Sequence, residues 1–479
     1  MTLLAGTPER FVRQARNIRQ LRPVTLIPPA VTLIVCLIGI DSASFWRDEA
    51  ATLDAEARPI PALFHMLTQV DAVHGAYYLL LWPVVHVFGS GQFAVRFPSA
   101  LAMAAAAYGI GVLGARLHSR LAGVLAGLVF GVLPQVSRYG QEARSYAIVV
   151  AVAVLATYLL VRALTESRRR WWVGYACAVA VLGLLNLFAL LLLFGHAVFV
   201  LYQDRPKVRP WLVASLLACI PSLPIVAFAV RQQDQLSWVA RPDANAVGDL
   251  AEWFAGSILS VGLASVLIGL FIGHRTSKHT LAWLAVPWLV LPPIVLILGS
   301  ELKPVYVQRY LAFCLPAVAL LVGAGLATVA IAPRAIGLVL IAVLGLPTQN
   351  AVRQVGGHGD DIRDAATILA QQAQRGDGVL LNCPSCHYPN MPREFAFAYP
   401  QAFAPLVDVT MAASPQSSNT LRGTDLGITA IHNRLTDVRR VWVIDVDGNA
   451  EPPALRDSGL HLTGVRYAGN ITIEIYARA

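Results

Sequence analysis

A chain of 479 residues that is 56% hydrophobic and only 14% charged, with a mean hydropathy of +0.59, cannot dress itself in the polar surface of an ordinary soluble protein. It reads as a polytopic membrane protein. The net charge of +9 does not point to nucleic acid, because most Lys and Arg stand in short runs between apolar segments, where such charges orient membrane helices.

A crossing needs roughly 20 apolar residues. Candidate spans lie at 24–40, 94–115, 121–137, 146–164, 171–185, 187–203, 210–230, 248–273, 279–299, 308–329 and 335–349, about eleven in all. Arg10, Arg13, Arg16, Arg19 and Arg22 precede the first, and no small-residue cleavage site follows it, so a retained first helix with a cytoplasmic start is expected. The run 75–89 is short and interrupted by Pro83 and His86. Basic clusters at 116–120, 162–170, 205–209, 274–279 and Arg334 share one face only if this run makes no net crossing. A re-entrant or surface-lying run is therefore expected. The alternative, a spanning run, moves several Arg clusters to the opposite face.

With that topology the outer face collects the loop 41–74, the stretches 137–146, 231–249 and 301–310, and everything beyond about 350. The loop opens with Trp46-Arg47-Asp48-Glu49, two adjacent carboxylates beside an aromatic just outside the first span. Acids so near hydrocarbon are costly unless they are solvated or used. At 350 the apolar runs stop, which divides the chain into a transmembrane domain 1–349, bearing the outer loop, and an extracytoplasmic domain 350–479. In the latter, 361–374 has helical spacing with Gly376 as its stop, and 378–382, 440–446 and 471–477 are short β-rich runs. The expected fold is mainly α, a helical membrane bundle with a small C-terminal α/β domain on the outer face. Cys383-Pro384-Ser385-Cys386-His387 has the spacing of haem-attachment and redox motifs, but nothing around it supports either, and a local disulfide is expected.

The order Arg47-Asp48-Glu49, then Asp71-Ala72-Val73-His74-Gly75-Ala76-Tyr77-Tyr78, then Val95-Arg96-Phe97-Pro98-Ser99-Ala100-Leu101 resembles the membrane-embedded glycosyltransferases of the GT-C superfold. Gln141-Glu142-Ala143-Arg144-Ser145-Tyr146 and Arg309-Tyr310-Leu311 with Pro316 add to the likeness, which covers roughly 24–330. The branch it resembles holds the protein O-mannosyltransferases and the lipid A aminoarabinose transferase. Where that branch usually reads His-Pro-Pro-Leu-Tyr or Glu-Lys-Pro, this chain has His74-Gly75-Ala76-Tyr77.

The resemblance implies a multi-pass membrane enzyme, and the basic, Ala- and Arg-rich composition points to a bacterial plasma (inner) membrane. The resemblance also implies transfer of a sugar from a polyprenyl-phosphate donor to a glycan, glycolipid or protein acceptor on the outer face, usually with inversion. Asp48 takes the role of general base, with Glu49 as its competitor. The chemistry asks for the same groups: a carboxylate to accept the acceptor's proton and cations to stabilise the departing phosphate. The expected substrate-binding set is His74, Tyr77, Arg138, Glu142, Arg144, Tyr146, Lys303, Tyr306 and Arg309.

Each assignment has a plainer counterpart. The acids can solvate a helix end or pair with Arg47, and His74 can be an interfacial histidine. Arg138 and Arg144 can serve only to neutralise Glu142, and Lys303 and Arg309 can hold headgroups. Arg96 is read as orienting a helix start, and Trp238, in a polar loop whose composition also suits a sugar platform, as an interfacial anchor. No obligatory metal is expected, a divalent cation being the alternative that some relatives use. The interiors of the apolar runs are nearly free of charge, which favours an enzyme over a flippase carrying charges at the midplane, with an inactive scaffold as the third reading.

Overall fold

The computed structural model describes residues 26–274, 280–359, 361–381, 393, 395–445, 455, 458–469 and 471–478. The arginines of the N-terminal run and the motif from Cys383 to His387 lie outside the described residues. The chain forms two compact units, Met1–Ile38 with Arg96–Asn350, and Gly39–Val95 with Ala351–Ala479. The expected division assigned the outer loop to the membrane domain; in the structure that loop clusters with the C-terminal residues instead. The physical reason is shared core, since Ala50 of the loop is packed in the same buried cluster as Leu369, Phe395, Trp442 and Ile473.

The first unit is helical. Among the described residues six helices are long and apolar enough to cross a membrane, and eight if each of two bent pairs counts as one span. The sequence expectation was about eleven. Three apolar helices, Ile27–Leu37, Ala72–Phe88 and Leu187–Gln203, fall below spanning length. The first bent pair, Arg120–Val132 and Pro134–Gly140, turns by 64° where Pro134 opens the second helix.

Small residues let backbones approach in this bundle. A Cβ added at Gly323, in the helix Leu315–Thr328, would stand 2.4 Å from the Cα of Ala126, and one at Gly325 would stand 2.1 Å from the carbonyl oxygen of Leu267. The buried His196 is paired within this interior, where an unpaired polar group is costly. His196 is 3.0 Å from the Thr157 hydroxyl and 3.1 Å from the Tyr175 hydroxyl, which also accepts from Trp211 Nε1 at 3.0 Å.

The second unit contains seven strands among the described residues: β1 (Gly378–Leu380), β2 (Val407–Asp408), β3 (Met411–Ala413), β4 (Thr424–Asp425), β5 (Arg440–Asp445), β6 (His461–Ala468) and β7 (Ile471–Ala477). The main sheet has the order β2-β1-β5-β7-β6, with β1 parallel to β2 and β5, and β7 antiparallel to β5 and β6. The helix Ile362–Gln372 packs on it, started by the Asp361 side chain, which accepts from the Asp364 amide. Gly376, with φ of +93°, turns the chain into β1.

The same unit holds the helices Arg47–Glu56, Ile60–Gln69 and Gly75–Phe88. Asp48 and Glu49 occupy the first turn of Arg47–Glu56, where carboxylates favour the positive end of the helix dipole. Pro59 disfavours helical geometry at the residue before it and separates this helix from the next. The run expected to lie re-entrant or along the surface folds as Gly75–Phe88, 14 residues with Pro83 inside, a length of about 21 Å against a hydrocarbon core of about 30 Å.

Candidate active site

The residues singled out from sequence divide between the two units: Asp48, Glu49, His74 and Tyr77 in the second, and Arg138, Glu142, Arg144, Tyr146, Lys303, Tyr306 and Arg309 in the first. Asp48 is half-buried on the first turn of its helix, and Glu49 beside it is fully buried. Thr52 donates to the Asp48 carbonyl at 3.0 Å, the helical back-bond of a buried threonine. Glu49 Oε2 lies 3.9 Å from Nδ1 of His358, a buried residue that sequence reasoning did not select.

The element following Ile60–Gln69 is arranged around Asp71, whose backbone is left-handed at φ 61° and whose carboxylate accepts from the Tyr78 hydroxyl at 2.5 Å. Asp tolerates this conformation better than most residues. It aligns His74, Tyr77 and Tyr78 into one aromatic group, with ring centroids 6.2 Å apart for His74 and Tyr78 and 6.5 Å apart for Tyr77 and Tyr78. A Cβ at Gly75 would meet Leu67 Cδ1, the end of a flexible side chain, at 2.8 Å.

Two further groups of this unit were not anticipated. Glu56 ends the acid-bearing helix, seven residues after Glu49 and therefore on nearly the same face. It is fully buried, and among the described residues neither carboxylate oxygen has a hydrogen-bond partner. Burial pushes its pKa up to about 9, so it is a neutral acid at pH 7. The heptad spacing was visible in the sequence. Arg58, two residues on, is buried and ion-paired to Asp54, and it also donates to the Thr420 carbonyl at 2.6 Å.

In the first unit, Arg138 donates to Glu142, one helical turn on, and lies over the Tyr139 ring at 5.6 Å. The Ser99 hydroxyl donates to the Glu142 carbonyl at 2.7 Å. Arg144 and Tyr146 are buried, and Tyr146 stands edge-on to Tyr139 at 5.1 Å, which in turn lies 5.9 Å from Trp253.

A second group of this unit forms where Lys303 donates to the Gln233 side chain and Tyr306 donates to the Ala246 carbonyl at 3.2 Å. Burial and the nearby Asp249 push the Tyr306 phenol up to about 12, so it stays a donor at any physiological pH. The Arg309 guanidinium sits 5.4 Å over the Trp238 ring and 5.9 Å from the Tyr310 ring, which stacks on Phe188 at 5.0 Å. Trp238 and Arg309, weighed separately from sequence, therefore form one cation–π group.

A family model described as dolichyl-phosphate-mannose-protein mannosyltransferase matches residues 76–228. Among solved structures, ArnT from Cupriavidus metallidurans in the apo state superposes with a TM-score of 0.63 at 14% identity, covering 94% of this chain and 97% of that one. The same protein bound to undecaprenyl phosphate gives a TM-score of 0.61 at 13% identity, with the same coverage of both chains. No curated protein sequence matches. Sequence identity this low with coverage this complete is a likeness of fold, and the chain carries the GT-C fold of ArnT with a mannosyltransferase-like stretch at 76–228.

Proposed function

We propose that this protein is an integral-membrane glycosyltransferase that moves a sugar from a polyprenyl-phosphate donor to a cell-envelope acceptor on the outer face of a bacterial plasma membrane. The observation that carries the reading is Asp48: a half-buried carboxylate on the first turn of a helix, in a chain whose fold follows ArnT over 94% of its length. A relative of that fold was solved with undecaprenyl phosphate, which supports the donor class. The N-terminus lies on the cytoplasmic side and the C-terminal residues outside, in keeping with the placement of basic clusters.

In the proposed step the acceptor hydroxyl oxygen attacks the anomeric carbon from the face opposite the phosphate, the bond from that carbon to the phosphate oxygen breaks, and the hydroxyl proton passes to Asp48. The sugar inverts and polyprenyl phosphate leaves. Cationic side chains, rather than an obligatory metal, meet the phosphate charge, with Arg144, Lys303 and Arg309 as candidates.

The test is transfer from a labelled polyprenyl-phosphate sugar by the purified, reconstituted protein. Asp48→Asn is expected to lower kcat by about 10²–10⁴-fold, the span of general-base contributions. Transfer undiminished in Asp48→Asn and lost in Glu49→Gln assigns the base to Glu49. A wild-type protein that moves no sugar from any such donor, while carrying labelled lipid between leaflets, is a flippase.

A further inference from the structure

The segment leading into the acid-bearing helix is gripped by side chains more than 300 positions away, all within the second unit. Arg363, on the helix Ile362–Gln372, donates through Nη1 to the Ser42 carbonyl at 3.0 Å and through Nη2 to the carbonyls of Asp41 at 2.6 Å and Ala43 at 3.1 Å. It also donates to the Gln92 side-chain oxygen, and Gln92 Nε2 in turn donates to the Ala43 carbonyl at 2.7 Å. The Arg363 amide donates to the Ser44 hydroxyl at 3.0 Å. That hydroxyl lies 3.0 Å from the Tyr399 hydroxyl, which accepts the Phe45 amide at 3.1 Å. Finally, the Ser44 amide donates to the Val355 carbonyl at 2.7 Å.

Three successive carbonyls and two successive amides are thus fixed directly ahead of Trp46, whose own carbonyl accepts from the Ala50 amide at 2.9 Å. The far end of the helix is tied by Arg58 to Thr420. A guanidinium spread over several neutral main-chain acceptors fixes backbone geometry, and each charged hydrogen bond is individually strong.

From this we infer that Arg363 and Tyr399 are positioning residues that hold the entry to the helix and so set where the Asp48 carboxylate stands. The inference rests on Asp48 being the base, and it gives the C-terminal residues a part in the reaction. Displacements of about 1 Å at a reacting group can cost up to about 10²-fold in rate.

The experiment compares Arg363→Gln, Arg363→Lys and Tyr399→Phe in the reconstituted full-length protein by kcat, donor KM and amide hydrogen exchange. In Arg363→Gln and Tyr399→Phe, exchange across 44–50 is expected to quicken about tenfold while amides of β5 and β7 keep their protection. kcat falls about tenfold with donor KM unchanged, and Arg363→Lys recovers part of both. Unchanged exchange at 44–50 overturns the inference. So does a loosened segment with kcat intact, or protection lost throughout the sheet in every variant, which marks plain structural support. Asp48→Asn run alongside separates the two ideas: wild-type transfer in that variant removes the base assignment, while the exchange at 44–50 still decides the clamp.

Discussion

Arg58 and Asp54 form an ion pair of 2.9 Å between consecutive turns, with both side chains completely withdrawn from solvent. Such a pair is held in place by the cost of breaking it, because either partner left alone is an uncompensated buried charge. Asp54→Ala or Arg58→Ala is expected to destabilise the second unit by about 3–5 kcal/mol, read from denaturant midpoints in detergent. The double variant is expected to lose less than the sum of the two.

Glu56 makes stability fall as pH rises. Its pKa is about 9 when folded and about 4.5 when exposed, so below pH 4 both states are protonated and the group adds no penalty. Between these values the unfolded chain ionises and the buried acid does not. Glu56→Gln is expected to be more stable than the parent at pH 8, by on the order of a few kcal/mol, with the gap closing toward pH 4. Melting curves at pH 4, 6 and 8 check this, and a gap that widens toward acid refutes it.

At Gly323 the bundle has no room for a methyl group, since the contact it would make is with the backbone of Ala126 rather than with a flexible side chain. Gly323→Ala is expected to cost about 1–3 kcal/mol and to lower the thermal midpoint of the detergent-solubilised protein, whereas Gly262→Ala, whose added Cβ meets nothing within 4 Å, leaves it unchanged.

The Arg309 and Trp238 pair separates an aromatic platform from a membrane anchor. Trp238→Phe keeps a π face for the guanidinium, and Trp238→Ala removes it. Donor KM is expected to rise several-fold in Trp238→Ala and little in Trp238→Phe, in line with a cation–π term of about 0.5–2 kcal/mol. Equal KM in both variants assigns Trp238 to anchoring alone.

What the sequence disclosed follows locality. The helix at 362–372 and strands β1, β5 and β7 fall inside the runs read from capping, apolar pattern and β-branched content. Strand β6 (His461–Ala468) escaped because it is a mostly exposed edge strand, broken by Gly464 and lacking a sustained apolar face. The acid pair was legible because two carboxylates beside a span are conspicuous. Arg363, Tyr399 and His358 were not, because what gives them a role is a contact with residues more than 300 positions earlier, which leaves no periodic trace. The allocation of the outer loop differed for the same reason: a composition boundary at 350 marks where apolar runs stop, while the packing of Ala50 against Phe395 and Trp442 is written in neither segment alone.

The 321 positions between Ser42 and Arg363 are also an interval of time. At about 5–20 residues per second, a ribosome that has finished the acid-bearing helix works on for roughly 15–60 seconds before the side chain that fixes its entry exists. During that interval the bundle segments are inserted while Asp48 waits on an unclamped loop. On the proposed reading, a chain that stops short of Arg363 carries Asp48 on an entry that nothing from 363 or 399 holds, and its transfer is expected to be slowed about as far as in Arg363→Gln.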